Sequence, residues 1–329
     1  MKRLLFIGGS TLTALLFAVM PAFTSAQTGV FPTRLVKIVV PYTSAGSNDT
    51  LGRAVAHRLS EIWAQPVVIE NRPGAGTTIG ADYVAKAAPD GYTLLFSDWT
   101  TYVISPHLYS KLSYNVLTDF APITVLFHSS LVLAMSNAVP AKDFKEFLAY
   151  VKANPGKLSY GSWGYGSHPH VAIEKLKLMA GIDLLHVPYK GGSPALTDLI
   201  AGRVALLLGN YAFWSPHEKT GKLKIIAAIT EKRVAARADL PTVTESGVPG
   251  YSVTNSYAMV APAGTPDHVL DKIHADVTAI LRDPAFGEKF MKPMTLEPGG
   301  YSRKESAAML KAEYAHWGQL VRESGAKIE

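Results

Sequence analysis

Short β-branched runs alternate with amphipathic stretches along almost the whole chain, and this alternation limits the fold more than any single motif does. RLVKIVVPY (34–42) reads as a strand, followed by an amphipathic helix, TLGRAVAHRLSEIWA (50–64), with Asp49 as its N-cap. PVVIEN is a second strand, ADYVAKAA a second helix and GYTLLFS a third strand, the βαβ rhythm of a parallel sheet. A second series follows: KLSYGS as strand, His170 to Met179 as helix, DLLHVPY as strand and PALTDLIAG as helix. Ser193 and Pro194 suit the N-cap and N1 positions of that last helix. VALLLGN and KLKIIAAIT close the series as strands.

Two long β-like runs carry a polar interruption. ITVLFHSSLVLAMS (123–136) is broken at His128 to Ser130, and YSVTNSYAMVAPAG (251–264) at Thr254 to Ser256. Read as crossover strands, they divide an α/β chain into two lobes. Lobe 1 is 27–127 with 256–329, and lobe 2 is 128–255. DHVLDKIHADVTAILRD and SRKESAAMLKAEYAHWGQLVRESG then supply helices that return to the first lobe.

The N-terminus reads separately. A basic MKR, the interrupted apolar run LLFIGGSTLTALLFAVM, and small residues ending at Ala26 have the three parts of a secretory signal peptide over 1–26. An exported chain, periplasmic in a two-membrane cell, is expected, with cleavage near Ala26. The chain has no cysteine, so disulfides, thiolate metal sites and lipidation after the cut are excluded. A net charge of +6 without Lys/Arg clusters argues against nucleic acid and favours small anions.

Parallel α/β sheets bind ligands beyond the carboxyl ends of their strands. Four polar loops lie there: YTSAGSND, SDWTTY, GSWGYGSHPH and KGGSP. Three lead directly into helices, whose unpaired N–H groups and partial positive charge suit an anion. The candidates are Tyr42, Thr43, Ser44, Ala45, Gly46, Ser47, Asn48 and Asp49 in the first loop, and Ser97, Trp99 and Thr100 in the second. Ser162, Trp163, Tyr165, Gly166, Ser167 and His170 lie in the third, and Tyr189, Lys190, Gly191 and Gly192 in the fourth. His128 and Asn255 in the polar interruptions, and Asn210 after VALLLGN, complete the set. Trp99, Tyr102, Trp163 and Tyr165 offer flat surface to a ligand, although packing explains them equally well.

Enzyme readings fare less well. No G-x-S-x-G nucleophile elbow occurs. His168 and His170 lack the companions of a metal site, so no metal and no cofactor are expected. Gly74, Gly76 and Gly80 in RPGAGTTIG imitate a dinucleotide loop, but with G-x-G-x-x-x-G spacing. A secreted, dinucleotide-dependent α/β enzyme stays as the alternative.

ENRPGAGTTIGADYVAKAAPDGYTLLFS, HVPYKGGSPALTDLIAGRV and MVAPAGTP, in that order, resemble the Bug/TctC family of extracytoplasmic solute receptors. The resemblance implies a two-lobed periplasmic-binding-protein (Venus-flytrap) fold with two crossover strands, closing on a small carboxylate without catalysis. It implies membrane permease subunits of a tripartite tricarboxylate transporter as partners, with a monomeric receptor. An orphan receptor signalling to a sensor kinase is a further possibility. The family's ligand loops fall on Tyr42–Asp49, Ser162–His170 and Tyr189–Pro194. Departures are Thr43, Ser44, Ala45 and Ser47 in a loop usually close to P-F-x-P-G-G-x-x-D, and Trp163 in place of a small residue. Gly209 stands where the family often has an Asp that meets ligand amino groups. The expected ligand is therefore an organic carboxylate without an amino group, a dicarboxylate or an aromatic one.

Overall fold

The computed structural model describes residues 31–324, so the expected leader over 1–26 lies outside the described residues. The strands are β1 (Val36–Val40), β2 (Val67–Asn71), β3 (Thr93–Asp98), β4 (Phe120–Ser129), β5 (Leu131–Ser136), β6 (Ser159–Ser162), β7 (Leu185–Pro188), β8 (Leu206–Asn210), β9 (Leu223–Ala228), β10 (Asn255–Pro262) and β11 (Leu296–Pro298). The helices are α1 (Ser47–Trp63), α2 (Thr78–Ala85), α3 (Ser105–Leu108), α4 (Phe144–Ala153), α5 (His168–Ala180), α6 (Gly192–Ile200), α7 (Tyr211–Lys219), α8 (Asp267–Arg282), α9 (Pro284–Phe286) and α10 (Arg303–Ser324).

The strands form two sheets. One has the order β11-β4-β10-β3-β1-β2, the other β7-β6-β8-β5-β9. In the first, β1 runs parallel to β2 and β3, and β10 runs antiparallel to β3 with Tyr257 opposite Asp98. In the second, β6 runs parallel to β7 and β8, and β5 is antiparallel to β8 and β9.

Helices cover both faces of the first sheet, which is why its parallel strands are apolar on both sides. Ile38, Val40, Leu94 and Phe96 pack with Leu51 and Val55 of α1 and with Ile273 and Val277 of α8. Their neighbours Val39 and Leu95 point the other way, toward Ala81 and Val84 of α2 and Leu310 and Leu320 of α10. That second core does not stop at the lobe boundary. It continues into Leu133 and Leu208 of the second sheet and Val171 and Leu176 of α5. Trp317 of α10, 1% exposed, sets its indole 5.0 Å from the ring of His168 at the start of α5. The C-terminal helix thus joins the two lobes. The far face of the second sheet packs Val132, Ala134 and Leu207 against Leu199 of α6 and Trp214 of α7.

The chain crosses between sheets twice. The first long β-like run is two strands, β4 and β5, in different sheets with only Ser130 between them. In the second run the strand starts only at Asn255. The residues before it are held by α5, since His168 Nε2 donates to the Thr254 carbonyl at 2.9 Å and Lys175 Nζ to the Ser252 carbonyl at 3.0 Å.

Two expected caps are displaced. Gly46, not Asp49, is the N-cap of α1, and Gly191, not Ser193, is that of α6. A glycine cap has no side-chain oxygen to mark it, so the nearest Asp or Ser drew the assignment. Asp49 sits inside the first turn and reaches back, accepting from the Ala45 amide at 3.0 Å.

Candidate functional site

The first-lobe half is built where β1 and β3 end and α1 begins. No side chain caps α1, so its first-turn N–H groups are open to an acceptor. Asp49 fixes the loop before it. Its carboxylate takes the Ala45 amide, Arg53 Nε at 2.9 Å and Asn71 Nδ2 at 2.9 Å. Burial would raise the Asp49 pKa, but Arg53, the Ala45 amide and Asn71 outweigh it and hold it below the usual value. Ala45 takes φ 68°, a left-handed conformation that favours glycine, at a position where the resembled loop carries one.

Asp98 closes β3 at the centre of this half. Tyr42 donates its phenol to Oδ1 at 2.7 Å, the Thr100 amide donates to Oδ1 at 3.0 Å, and Asn48 Nδ2 donates to Oδ2 at 3.2 Å. Burial, then the Asp98 charge, pushes the Tyr42 phenol well above its ordinary pKa, so it stays a donor. Tyr257, opposite Asp98 in the ladder, meets the Ser47 hydroxyl and is raised by burial and by Asp98. Asn48 Oδ1 and Asn255 Oδ1 are buried without a donor. The Asp98 charge also reaches His168 across the lobe boundary, although burial dominates there and lowers the His168 pKa.

The second-lobe half comes from the ends of β6 and β7. Ser162 is fully buried, and its Oγ donates to the Gly164 carbonyl at 3.0 Å and meets His186 Nε2 at 2.6 Å. Ser167 donates to the same carbonyl at 2.7 Å, and the Gly166 amide donates to His170 Nδ1 at 3.0 Å. These groups therefore shape the loop. What the loop leaves open is the start of α5, whose N-cap Ser167 makes no capping bond, and the side chains of Trp163 and Tyr165. Gly191, at φ 117°, starts α6 with no side-chain cap. A Cβ on Gly192 would stand 3.0 Å from Trp163 Nε1, so Trp163 bridges the two loops. Tyr189 donates to Asp198 at 2.7 Å, and burial together with Asp198 pushes its pKa up to about 12. Lys190 is exposed.

Other expected residues lie elsewhere. Trp99 is 1% exposed and packs edge-on against Tyr102, itself fully buried, so both are core rather than ligand surface. Ser97 is buried and bonds Thr101. His128 uses Nδ1 on the Ser256 hydroxyl at 2.8 Å and Nε2 on the Tyr301 phenol at 3.1 Å. Asn210 caps α7 through the Ala212 amide and donates to Ser129 Oγ at 2.7 Å, tying β8 to the first crossing. A Cβ on Gly209 would fall 2.6 Å from the Trp214 ring, which occupies the space an Asp there would need. His168 and His170 are directed to Thr254 and Gly166 respectively, not to a common point. Tyr257 escaped the sequence reading because it begins the apolar part of β10, just past the polar break at Thr254 to Ser256.

The profile of the "Tripartite tricarboxylate transporter family receptor" matches residues 51–326. The chain belongs to this receptor family. A relative from Cupriavidus necator, the UPF0065 protein in the gbd 5′ region, is 36% identical over 300 residues, covering 91% of this chain and 89% of the relative. Among solved structures, R. palustris Rpa4515 with adipate superposes with a TM-score of 0.83 at 35% identity, covering 91% of this chain and all of that one. MatC from Rhodopseudomonas palustris with bound malate gives 0.78 at 30% identity, covering 88% of this chain and all of that one. The two sheets, joined by the two crossings, match the two-lobed fold of this family, and α1, α5 and α6 each start without a side-chain cap after a parallel strand.

Proposed function

We propose that this protein captures a small organic carboxylate between its lobes and delivers it to the membrane subunits of a tripartite tricarboxylate transporter. The observation that carries the reading is the set of helix starts without side-chain caps, α1 in one lobe and α5 and α6 in the other, each following a parallel strand. Family neighbours solved with adipate and malate support a carboxylate. Export by the N-terminal leader, a periplasmic location and action as a monomer belong to the same reading. Among the described residues no helix is long and apolar enough to cross a membrane. Closure then serves as the functional event: contacts from both lobes favour the closed state through their differential affinity, and no catalytic step is required.

A thermal-shift screen of mono- and dicarboxylates tests this. A ligand at one hundred times its Kd stabilises the native state by about 2.7 kcal/mol, so a cognate acid raises Tm by several degrees. A panel of carboxylates that moves Tm nowhere contradicts the proposal.

A further inference from the structure

The structure separates the four aromatics of the expected ligand loops. Trp99 and Tyr102 are core, whereas Trp163 is 37% exposed and Tyr165 64%. The chain has five tryptophans, and the other four are 8% exposed or less, so Trp163 is the one indole substantially open to solvent. It stands where the resembled family carries a small residue.

The loop does not use either ring to hold its shape. Ser162 and Ser167 donate to the Gly164 carbonyl and the Gly166 amide donates to His170 Nδ1, and none of these bonds involves Trp163 or Tyr165. Both rings are nonetheless fixed. The Nε1 edge of Trp163 lies against Gly192, where an added Cβ would come within 3.0 Å of it. Tyr165 stands edge-on to His170 at 5.7 Å and to His186 at 5.0 Å, with planes 85° and 90° apart. Gly192 is the first residue of α6, and Tyr165 lies two residues before Ser167, the N-cap of α5. An anion at either uncapped start thus has an exposed, fixed ring beside it. Two such aromatics in one loop are unlike the singly scattered surface apolars that need no explanation.

Resting on the carboxylate-receptor reading, we infer that Trp163 and Tyr165 are specificity-determining residues for a planar ring joined to the ligand's carboxylate. The ligand class is an aromatic carboxylate. Its ring lies on the Trp163 indole with Tyr165 at the edge, while a carboxylate of the same molecule meets an uncapped helix start. A flat ring bearing a carboxylate stacks on the indole face, a gain that a puckered saturated ring of the same size does not have.

Calorimetry on the full mature protein with matched pairs tests this: benzoate and cyclohexanecarboxylate, phenylacetate and cyclohexylacetate, terephthalate and trans-cyclohexane-1,4-dicarboxylate, with succinate and adipate as open-chain acids. In the pairs that bind, the aromatic member binds about two- to tenfold more tightly than the saturated one. Trp163→Ala removes that preference, and Trp163→Phe keeps most of it. The ligand-free Tm of Trp163→Ala stays within about 2 °C of wild type, which a structural role for the indole would not allow. Acrylamide quenching adds a direct readout: the quenchable emission of the ligand-free protein belongs to Trp163, and saturation with the tightest aromatic acid shields it. An aromatic member no tighter than its saturated partner, a preference untouched by Trp163→Ala, an indole still open to acrylamide in the aromatic complex, or binding of open-chain acids alone overturns the inference and leaves the receptor reading standing. No binding by any of the eight overturns both.

Discussion

The Gly166 amide donates to Nδ1 of His170 at 3.0 Å, and the His170 ring stacks on His186 with centroids 4.0 Å apart and planes 15° from parallel. The loop that opens α5 therefore depends on a neutral imidazole, since a proton on Nδ1 removes the acceptor. Burial lowers the pKa of both rings; His186 is also lowered by His170 and Lys177, to about 4. Tyr160, Tyr165, Glu174, Lys177 and Ser162 complete the surroundings of the pair.

A pH dependence follows. Histidines with folded pKa values below the ordinary 6.5 bind more protons unfolded than folded, so stability rises with pH. Their contribution is full above 6.5 and lost as pH falls from there toward about 4. Tm measured across that window should fall with acid in the wild type and fall less in His186→Gln. Equal slopes would contradict the account.

Ala45 at φ 68° predicts a gain from glycine. Ala45→Gly relieves a left-handed conformation and should raise unfolding free energy by about 1 kcal/mol, net of the greater chain entropy of glycine. Urea denaturation checks it, and an unchanged or lower midpoint would argue against strain in this loop.

Gly209 and Trp214 are predicted to be coupled. Gly209→Ala forces a Cβ to within 2.6 Å of the indole and should cost about 1–3 kcal/mol. Trp214→Phe should lessen that cost in the double mutant. Additive losses in the double-mutant cycle would show that the indole is not the obstruction.

The sequence reading succeeded where the signal is local. Packing of Ile38 and Val40 on one face and Val39 on the other follows directly from apolar residues facing both ways. The polar break at Ser130 marks where the chain passes from one sheet to the other, whereas the break at Asn255 marks only the start of β10. It failed where the decisive neighbour is distant. Trp99 and Trp163 look alike in sequence, yet one is core and the other is 37% exposed. The antiparallel register of β10 on β3 puts Tyr257 beside Asp98, and no spacing announces it. His186, read as an ordinary strand residue, stacks with His170 for the same reason.

Trp317 predicts how strongly α10 joins the lobes. Trp317→Ala removes a fully packed indole from the core that spans both sheets and should cost about 3–5 kcal/mol in denaturant unfolding. A loss below 1 kcal/mol would mean that the lobes do not share that core.

A crystal structure of the complex with the carboxylate that raises Tm most tests the central claim most directly. The account predicts a carboxylate oxygen about 3 Å from first-turn amides of α1, with the same molecule touching the loop between Ser162 and His170 in the other lobe. A ligand held by one lobe alone, or seated in the groove of Arg53, His57 and Lys289 on the outside of α1, would contradict it.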